Sequence, residues 1–247
     1  MRCTLTFFIL IMAFSCSIDT GKKKKKIGKE EPPVKDGINR AYYPDGKLRA
    51  EVPMKGGRRN GLAIEYYNDG KKHLEINYAD GKHEGLTTRY WENGNLYEQT
   101  NYAKGEMHGI RKRYRRDGQL ASESRFNSGA PCLGLREFLQ DGSAKKKYPT
   151  IVIEPVDMLL KEQRYALRLS MSDKSGNVTF YEGELDGGCI GYLEEIPKTT
   201  KKGVSELSYY LPEGMFVMKT LNIIAKVKTA QGNFFVTQRK YNLAIEN

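Results

Sequence analysis

Residues 61–70 read GLAIEYYNDG; 24 positions later residues 85–94 read GLTTRYWENG, and 24 later again residues 109–118 read GIRKRYRRDG. The period extends in both directions. Gly46, Gly70, Gly94, Gly118 and Gly142 form one column, each preceded by Asp or Asn and each four residues after an aromatic: Tyr42, Tyr66, Tyr90, Tyr114 and Phe138. A second column is Gly37, Gly61, Gly85 and Gly109, with Leu133 in the fifth place. A third is Gly57, Gly81, Gly105 and Gly129, three residues after Met54, Tyr78, Tyr102 and Phe126. Self-similarity at a fixed period marks a repeat architecture.

Each unit reads as a β-hairpin. Asp-Gly or Asn-Gly between extended segments is a type I′ turn signal, because both central residues of that turn need positive φ. Into the turn, Leu62, Ile64 and Tyr66 alternate with polar residues, as do Leu86 and Tyr90, then Ile110 and Tyr114. Out of it, Leu96 and Tyr102 share one parity, as do Leu120 and Phe126. Period two with one apolar face predicts half-buried antiparallel strands, with both sets on the core side. A lone hairpin cannot bury its face, so neighbouring units must support one another.

These segments, each followed by a strand and an aromatic-x-x-Gly step, resemble the MORN-repeat variant family. The resemblance spans residues 37–148, with degenerate first and fifth copies placed as caps. It implies a stacked sheet of hairpins. Bacterial proteins of the family are often named by analogy as antitoxin components, and eukaryotic ones are associated with membranes and scaffolding.

The chain has 247 residues, 39% hydrophobic and 29% charged, with a net charge of +11. Sixteen Tyr and nine Phe argue against a disordered chain, and nine Pro against a Pro-rich one. The first 15 residues read as a signal peptide. Leu5 to Phe14 is an apolar run of ten, short of the roughly 20 needed to cross a bilayer. Cys16 follows Ala13, Phe14 and Ser15, which resembles a loose bacterial lipobox of the Bacteroidetes type. That resemblance implies lipidation at Cys16; plain secretion is the alternative. Residues 16–36 form a basic flexible tether containing Lys22 to Lys26, suited to solvent or to anionic lipid headgroups. The expected location is the cell envelope, lipid-anchored, on the outer membrane facing the periplasm, or else secreted into the periplasm.

After Tyr148 the glycine columns stop. Residues 149–247 carry about seven short apolar or alternating runs separated by turn clusters. The expected fold is therefore all-β throughout: a stacked hairpin-repeat sheet over 37–148, then an Ig-like β-sandwich over 149–247. Cys132 and Cys189 stand in different parts, and a disulfide or two buried thiols fit the sequence equally.

Two surfaces are candidates for binding. Tyr43, Tyr67 and Trp91 share a column on the face opposite Tyr66, followed by Arg115 and Leu139. They suit either an exposed stacking strip or a cross-repeat ladder that supports the sheet. The fourth repeat adds Arg111, Lys112, Arg113, Arg115 and Arg116 around Tyr114, a pattern for a polyanion or for a solvated face. Residues 37–148 hold 21 Lys and Arg against 14 Asp and Glu, whereas residues 149–247 hold 12 of each. Export places nucleic acid out of reach, so the polyanions considered are lipid headgroups, lipopolysaccharide or an acidic protein.

Chemistry-bearing motifs are absent from the sequence. His73, His83 and His108 fall in different columns without metal-ligand spacing, and there is no GxSxG or phosphate-cradling glycine loop. No catalytic residue, metal or cofactor is therefore expected. The leading expectation is a membrane-anchored, non-enzymatic binding or scaffold lipoprotein engaging a protein or an anionic lipid or glycan. The alternative is an antitoxin-like protein that neutralises a toxin by direct binding.

Overall fold

The computed structural model describes residues 36–247, so the signal segment, Cys16 and most of the tether lie outside the described residues. The repeats form β1 (Gly37–Tyr42), β2 (Leu48–Lys55), the two-residue β3 (Arg58–Arg59), β4 (Gly61–Tyr66), β5 (Lys72–Ala79), β6 (Lys82–Tyr90), β7 (Leu96–Ala103), β8 (Glu106–Tyr114), β9 (Leu120–Asn127), β10 (Ala130–Pro131) and β11 (Arg136–Glu137). All belong to one 11-stranded antiparallel sheet ordered β1-β2-β4-β5-β6-β7-β8-β9-β10, with β3 on β2 and β11 on β9. The fifth copy contributes β11 and a bridge between Phe138 and Ala144.

The turn types are the reverse of the sequence expectation. At the Asp-Gly and Asn-Gly column only the glycine has positive φ (Gly46, Gly70, Gly94, Gly118). Each is a tight turn closed by the glycine N–H on the carbonyl three residues back, as from Gly70 to Tyr67 at 2.9 Å. The preceding Asp serves differently: the Asp69 carboxylate accepts the Lys71 N–H at 3.0 Å. Within the repeats, the turns with two consecutive positive φ values are Gly56-Gly57, Asp80-Gly81, Lys104-Gly105 and Ser128-Gly129. They are two-residue hairpins, because Ala79 pairs with Lys82 and Ala103 with Glu106.

The faces also differ from expectation. After each Asp-Gly turn the register skips one residue: Tyr90 pairs with Leu96 but Arg89 pairs with Glu98, leaving Tyr97 unpaired. His73 and Ala121 occupy the same place in their hairpins. Such a bulge resets the alternation, so Leu96 and Tyr102 share a parity but not a face. Tyr102 lies opposite Gly85 and Tyr78 opposite Gly61. The small buried cluster of this sheet is accordingly Ala63, Ile76 and Tyr78, supported by Val52 and Leu74. Leu62, Leu86 and Ile110, expected inside, are exposed on the other face.

The C-terminal part comprises β12 (Ile151–Met158), the single turn α1 (Leu159–Glu162), β13 (Arg164–Met171), β14 (Val178–Glu182), β15 (Ser205–Tyr210), β16 (Phe216–Lys228) and β17 (Phe234–Glu246). Two three-stranded sheets, β12-β13-β15 and β14-β16-β17, enclose one core of Leu167, Leu169, Phe180, Leu221, Ile223 and Leu243. This is a β-sandwich of six strands, not seven. Residues 189–196 form a loop with isolated bridges, and residues 234–246 are one unbroken strand. Residues 216–228 are strand, as their β-branched content predicts.

The architecture changes near Tyr148, yet repeats and sandwich belong to one compact unit. Cys132 and Cys189 form a disulfide between them. Asn233, wholly buried in the turn after β16, also joins both parts. Its side-chain amide donates to Glu137 at 2.9 Å. Its amide oxygen accepts from Arg111 at 3.2 Å and Ser122 at 3.3 Å, and lies 3.4 Å from an Arg113 nitrogen. Glu137, 1% exposed, also accepts from Thr229 at 2.6 Å and from Lys145 at 3.1 Å.

Removing a shared partner strands the others in a dry place. Asn233→Ala should cost about 2–4 kcal/mol in urea denaturation, since several buried polar groups lose a hydrogen bond. Cys132→Ser should cost about 2–4 kcal/mol by releasing the closed loop in the unfolded chain.

Burial pushes the Glu137 carboxyl upward, but hydrogen bonds from Thr229, Asn233 and Lys145 outweigh it and hold the group below its ordinary value. With the folded value depressed, the contribution is present above the unfolded value, about 4.3, and fades as pH falls through the folded one. Glu137→Gln should therefore flatten the acid limb of a stability-against-pH curve while lowering stability at neutral pH.

Candidate functional site

The Tyr43 column is a ladder. The Tyr43 hydroxyl donates to the Tyr66 carbonyl at 2.6 Å, and the Tyr67 hydroxyl to the Tyr90 carbonyl at 2.7 Å. The Trp91 indole N–H donates to the Tyr114 carbonyl at 3.3 Å, and the Arg115 guanidinium to the Phe138 carbonyl. Each donor reaches 23 residues ahead, to a carbonyl at the end of the next repeat's incoming strand. These four side chains are half-buried rather than an exposed strip. Bulge residues pack against them with tilted rings: the His73 and Tyr67 ring centres are 4.5 Å apart, and those of Tyr97 and Trp91 4.4 Å.

A second ladder runs on the opposite face. Tyr66 donates to Glu51 at 3.3 Å, Tyr90 to Glu75 at 2.7 Å and Tyr114 to Gln99 at 3.2 Å. Burial and the Glu75 carboxylate push the Tyr90 phenol up to about 12. The acceptors Glu51, Glu75 and Gln99 stand at the 24-residue pitch, so the pairing was legible as a column once the faces were known. His83 sits between the ring edges of Tyr78 and Tyr102, at 4.9 and 5.1 Å, and burial with nearby Arg59 lowers its pKa. It is a packing residue.

The basic fourth repeat is split between faces. Arg111 and Arg113 project toward the sandwich: Arg111 lies over Phe126 at 4.9 Å, and Arg113 donates to the Gln231 carbonyl and the Tyr97 hydroxyl, each at 3.0 Å. Lys112, on the other face, pairs with Glu123 at 3.5 Å. Arg116 is exposed, with its guanidinium 5.2 Å from the Trp91 ring centre. The expected single cationic surface is thus divided, because neighbouring residues of a strand point to opposite sides.

Three of the sequence candidates do converge. Trp91, Arg113 and Arg115 line a cleft of about 490 Å³ together with Tyr97, Phe138 and Gln231. Its floor is repeat sheet and one wall is the turn of the sandwich. Tyr43 and Tyr67 lie farther along the sheet, outside the cleft lining. Tyr97, Phe138 and Gln231 were missed by sequence reasoning. Tyr97 replaces His73 and Ala121 at a variable bulge position, and Gln231 arrives from more than 100 residues away.

Residues 35–55, 59–80, 84–104 and 107–128 match the MORN repeat variant. No curated relative matches the chain. Repeats of this variant suggest a repeat-based binding or scaffold role, and the cleft stands at the C-terminal end of the array.

The ladder predicts a contrast between neighbours. Trp91→Phe should lower the unfolding free energy by about 1 kcal/mol, because the Tyr114 carbonyl loses its donor. Arg116→Ala should change it by less than about 0.5 kcal/mol, as an exposed substitution.

Proposed function

We propose that this chain is a non-enzymatic binding lipoprotein of a bacterial envelope, anchored through Cys16, whose MORN repeats hold a protein or anionic envelope polymer. The observation that carries the binding half is the cleft at the end of the repeats. There the Trp91–Tyr97 pair offers flat apolar surface, and Arg113, Arg115 and Arg116 surround it with positive charge. Aromatic and Arg anchors dominate many interfaces, and this combination suits a partner with apolar and anionic parts. Arg113 and Arg115 already serve the fold, whereas Arg116 is an exposed cation beside Trp91.

The disulfide between Cys132 and Cys189 supports export, since such bonds persist in oxidising compartments. The apolar run ending at Cys16 supports lipidation, and several acyl chains at about 0.8 kcal/mol per buried CH₂ give a stable anchor. The location proposed is the outer membrane facing the periplasm.

Mass spectrometry of the mature N-terminus should show an acylated Cys16; an unmodified soluble form would remove the anchor from this reading. For the surface, a photo-crosslinking residue at exposed Leu139, on the cleft, should trap a partner in intact envelopes. The same probe at Leu62, exposed on the opposite face, should not, and Arg116→Glu should weaken the Leu139 adduct. Equal trapping from both positions would place the binding surface elsewhere.

A further inference from the structure

The sandwich carries as many acids as bases, but it separates them. Glu182, Glu184, Asp186, Glu194 and Glu195 follow one another with no base between. Lys174, Lys198, Lys201 and Lys202 stand on two other loops, the one joining β13 to β14 and the one leading into β15. The overall neutrality of residues 149–247 hides this polarity.

The two lysine loops are built against each other. A Cβ at Gly203 would come 2.5 Å from the Ser175 carbonyl oxygen and 2.9 Å from the Gly176 Cα, and Gly203 has a φ of +77°. A Cβ at Gly176 would lie 2.8 Å from Cε of Lys202. Backbone therefore meets backbone, and the stem of Lys202 lies across Gly176. The second loop is a closed hairpin: the Thr199 N–H reaches the Val204 carbonyl at 3.0 Å, and the Thr199 hydroxyl oxygen accepts the Lys201 N–H at 3.2 Å.

Between the loops lies a cavity of about 340 Å³ lined by Lys198, Lys201, Lys202, Thr199, Thr179 and Asn177, with no acidic side chain in its wall. The acid on the first loop, Asp173, is occupied by the Ser175 N–H at 3.0 Å and hydroxyl at 2.7 Å. The next acid beyond the second loop, Glu206, is held by Arg164 and Arg168. The ion pairs of the sandwich reach none of the four lysines among the described residues.

Lysines that line one cavity without an acid in its wall repel one another, and a multivalent anion relieves that repulsion. Planar, bidentate carboxylate recognition falls to Arg, whereas Lys acts as a point charge around a compact anion with several oxygens. The geometry points to a binding site for a phosphate group, a phosphomonoester or pyrophosphate, in the cavity between residues 173–179 and 198–205. The phosphate belongs to a lipid headgroup or to a soluble phosphorylated molecule. The cavity is near the lower limit of small-ligand sites, about 300 Å³, so it takes the phosphate and little of its carrier.

The test uses the full chain and a variant with Lys198→Met, Lys201→Met and Lys202→Met, which removes charge but keeps the stem over Gly176. Thermal unfolding checks the fold, and the double variant with Lys202 retained serves if the triple one is unstable. Titration with pyrophosphate by calorimetry should show saturable binding weakened at least about tenfold in the variant, since charged hydrogen bonds are lost. Flotation with phosphatidic acid in phosphatidylcholine vesicles separates the sources. The tether lysines are common to both proteins, so a difference belongs to the cavity. Loss of both pyrophosphate binding and flotation supports the site with a lipid headgroup. Loss of pyrophosphate binding alone supports it with a soluble ligand. Equal pyrophosphate behaviour of the two proteins, binding or not, overturns it.

Discussion

An open sheet of hairpins has little apolar surface to bury, and this one buries almost none over its first three repeats. Ala63, Ile76 and Tyr78 are the buried apolar side chains before Phe126 among the described residues. Beside the main-chain pairing of β2 with β4, β5 with β6 and β7 with β8, each repeat is tied to the next by a side-chain donor reaching a main-chain carbonyl 23 residues ahead, repeated from Tyr43, Tyr67, Trp91 and Arg115. Each bond contributes only about 1 kcal/mol net, but the ladder acts at every interface, as nearest-neighbour stability of a repeat array requires. The donor need only be an O–H or N–H at the right height, which explains why Tyr, Trp and Arg share one column.

That ladder constrains where binding can occur. A donor committed to a carbonyl cannot also be a freely exposed anchor, so the array's recognition capacity falls to side chains lying on or beside it. Arg116 over Trp91 and the open edge of the Trp91–Tyr97 pair meet this condition. The sandwich then contributes the missing wall, held in place by Asn233, Glu137 and the disulfide. The same junction covers the last long strand of the array, as a terminal cap must. Structure and site thus share residues: Arg113 supports the junction and lines the cleft.

Charge follows a similar division. Part of the positive charge of the repeats is spent internally, on Asn233, Glu123 and aromatic faces. The neutral sandwich keeps its lysines unspent at the 173–179 and 198–205 loops. Net charge per segment therefore does not locate the uncommitted charge, because pairing is a tertiary property.

The sequence by itself determined the 24-residue period, the hairpin in every repeat, the change of architecture near Tyr148 and the all-β character of both parts. These are written locally, in glycine columns and in alternation, and antiparallel neighbours pair by proximity along the chain. It did not determine which face each residue takes. One extra residue per hairpin, Tyr97 among them, shifts the alternation after the turn, so Leu96 and Tyr102 diverge despite equal parity. Nor did it separate the two kinds of turn, since Asp-Gly fits both and only the closing register chooses. The pairing of Cys132 with Cys189, the fate of Arg111 and Arg113, and the meeting of the two lysine loops were decided by tertiary structure alone. Each joins residues whose separation along the chain leaves no periodic trace, so only packing brings them together.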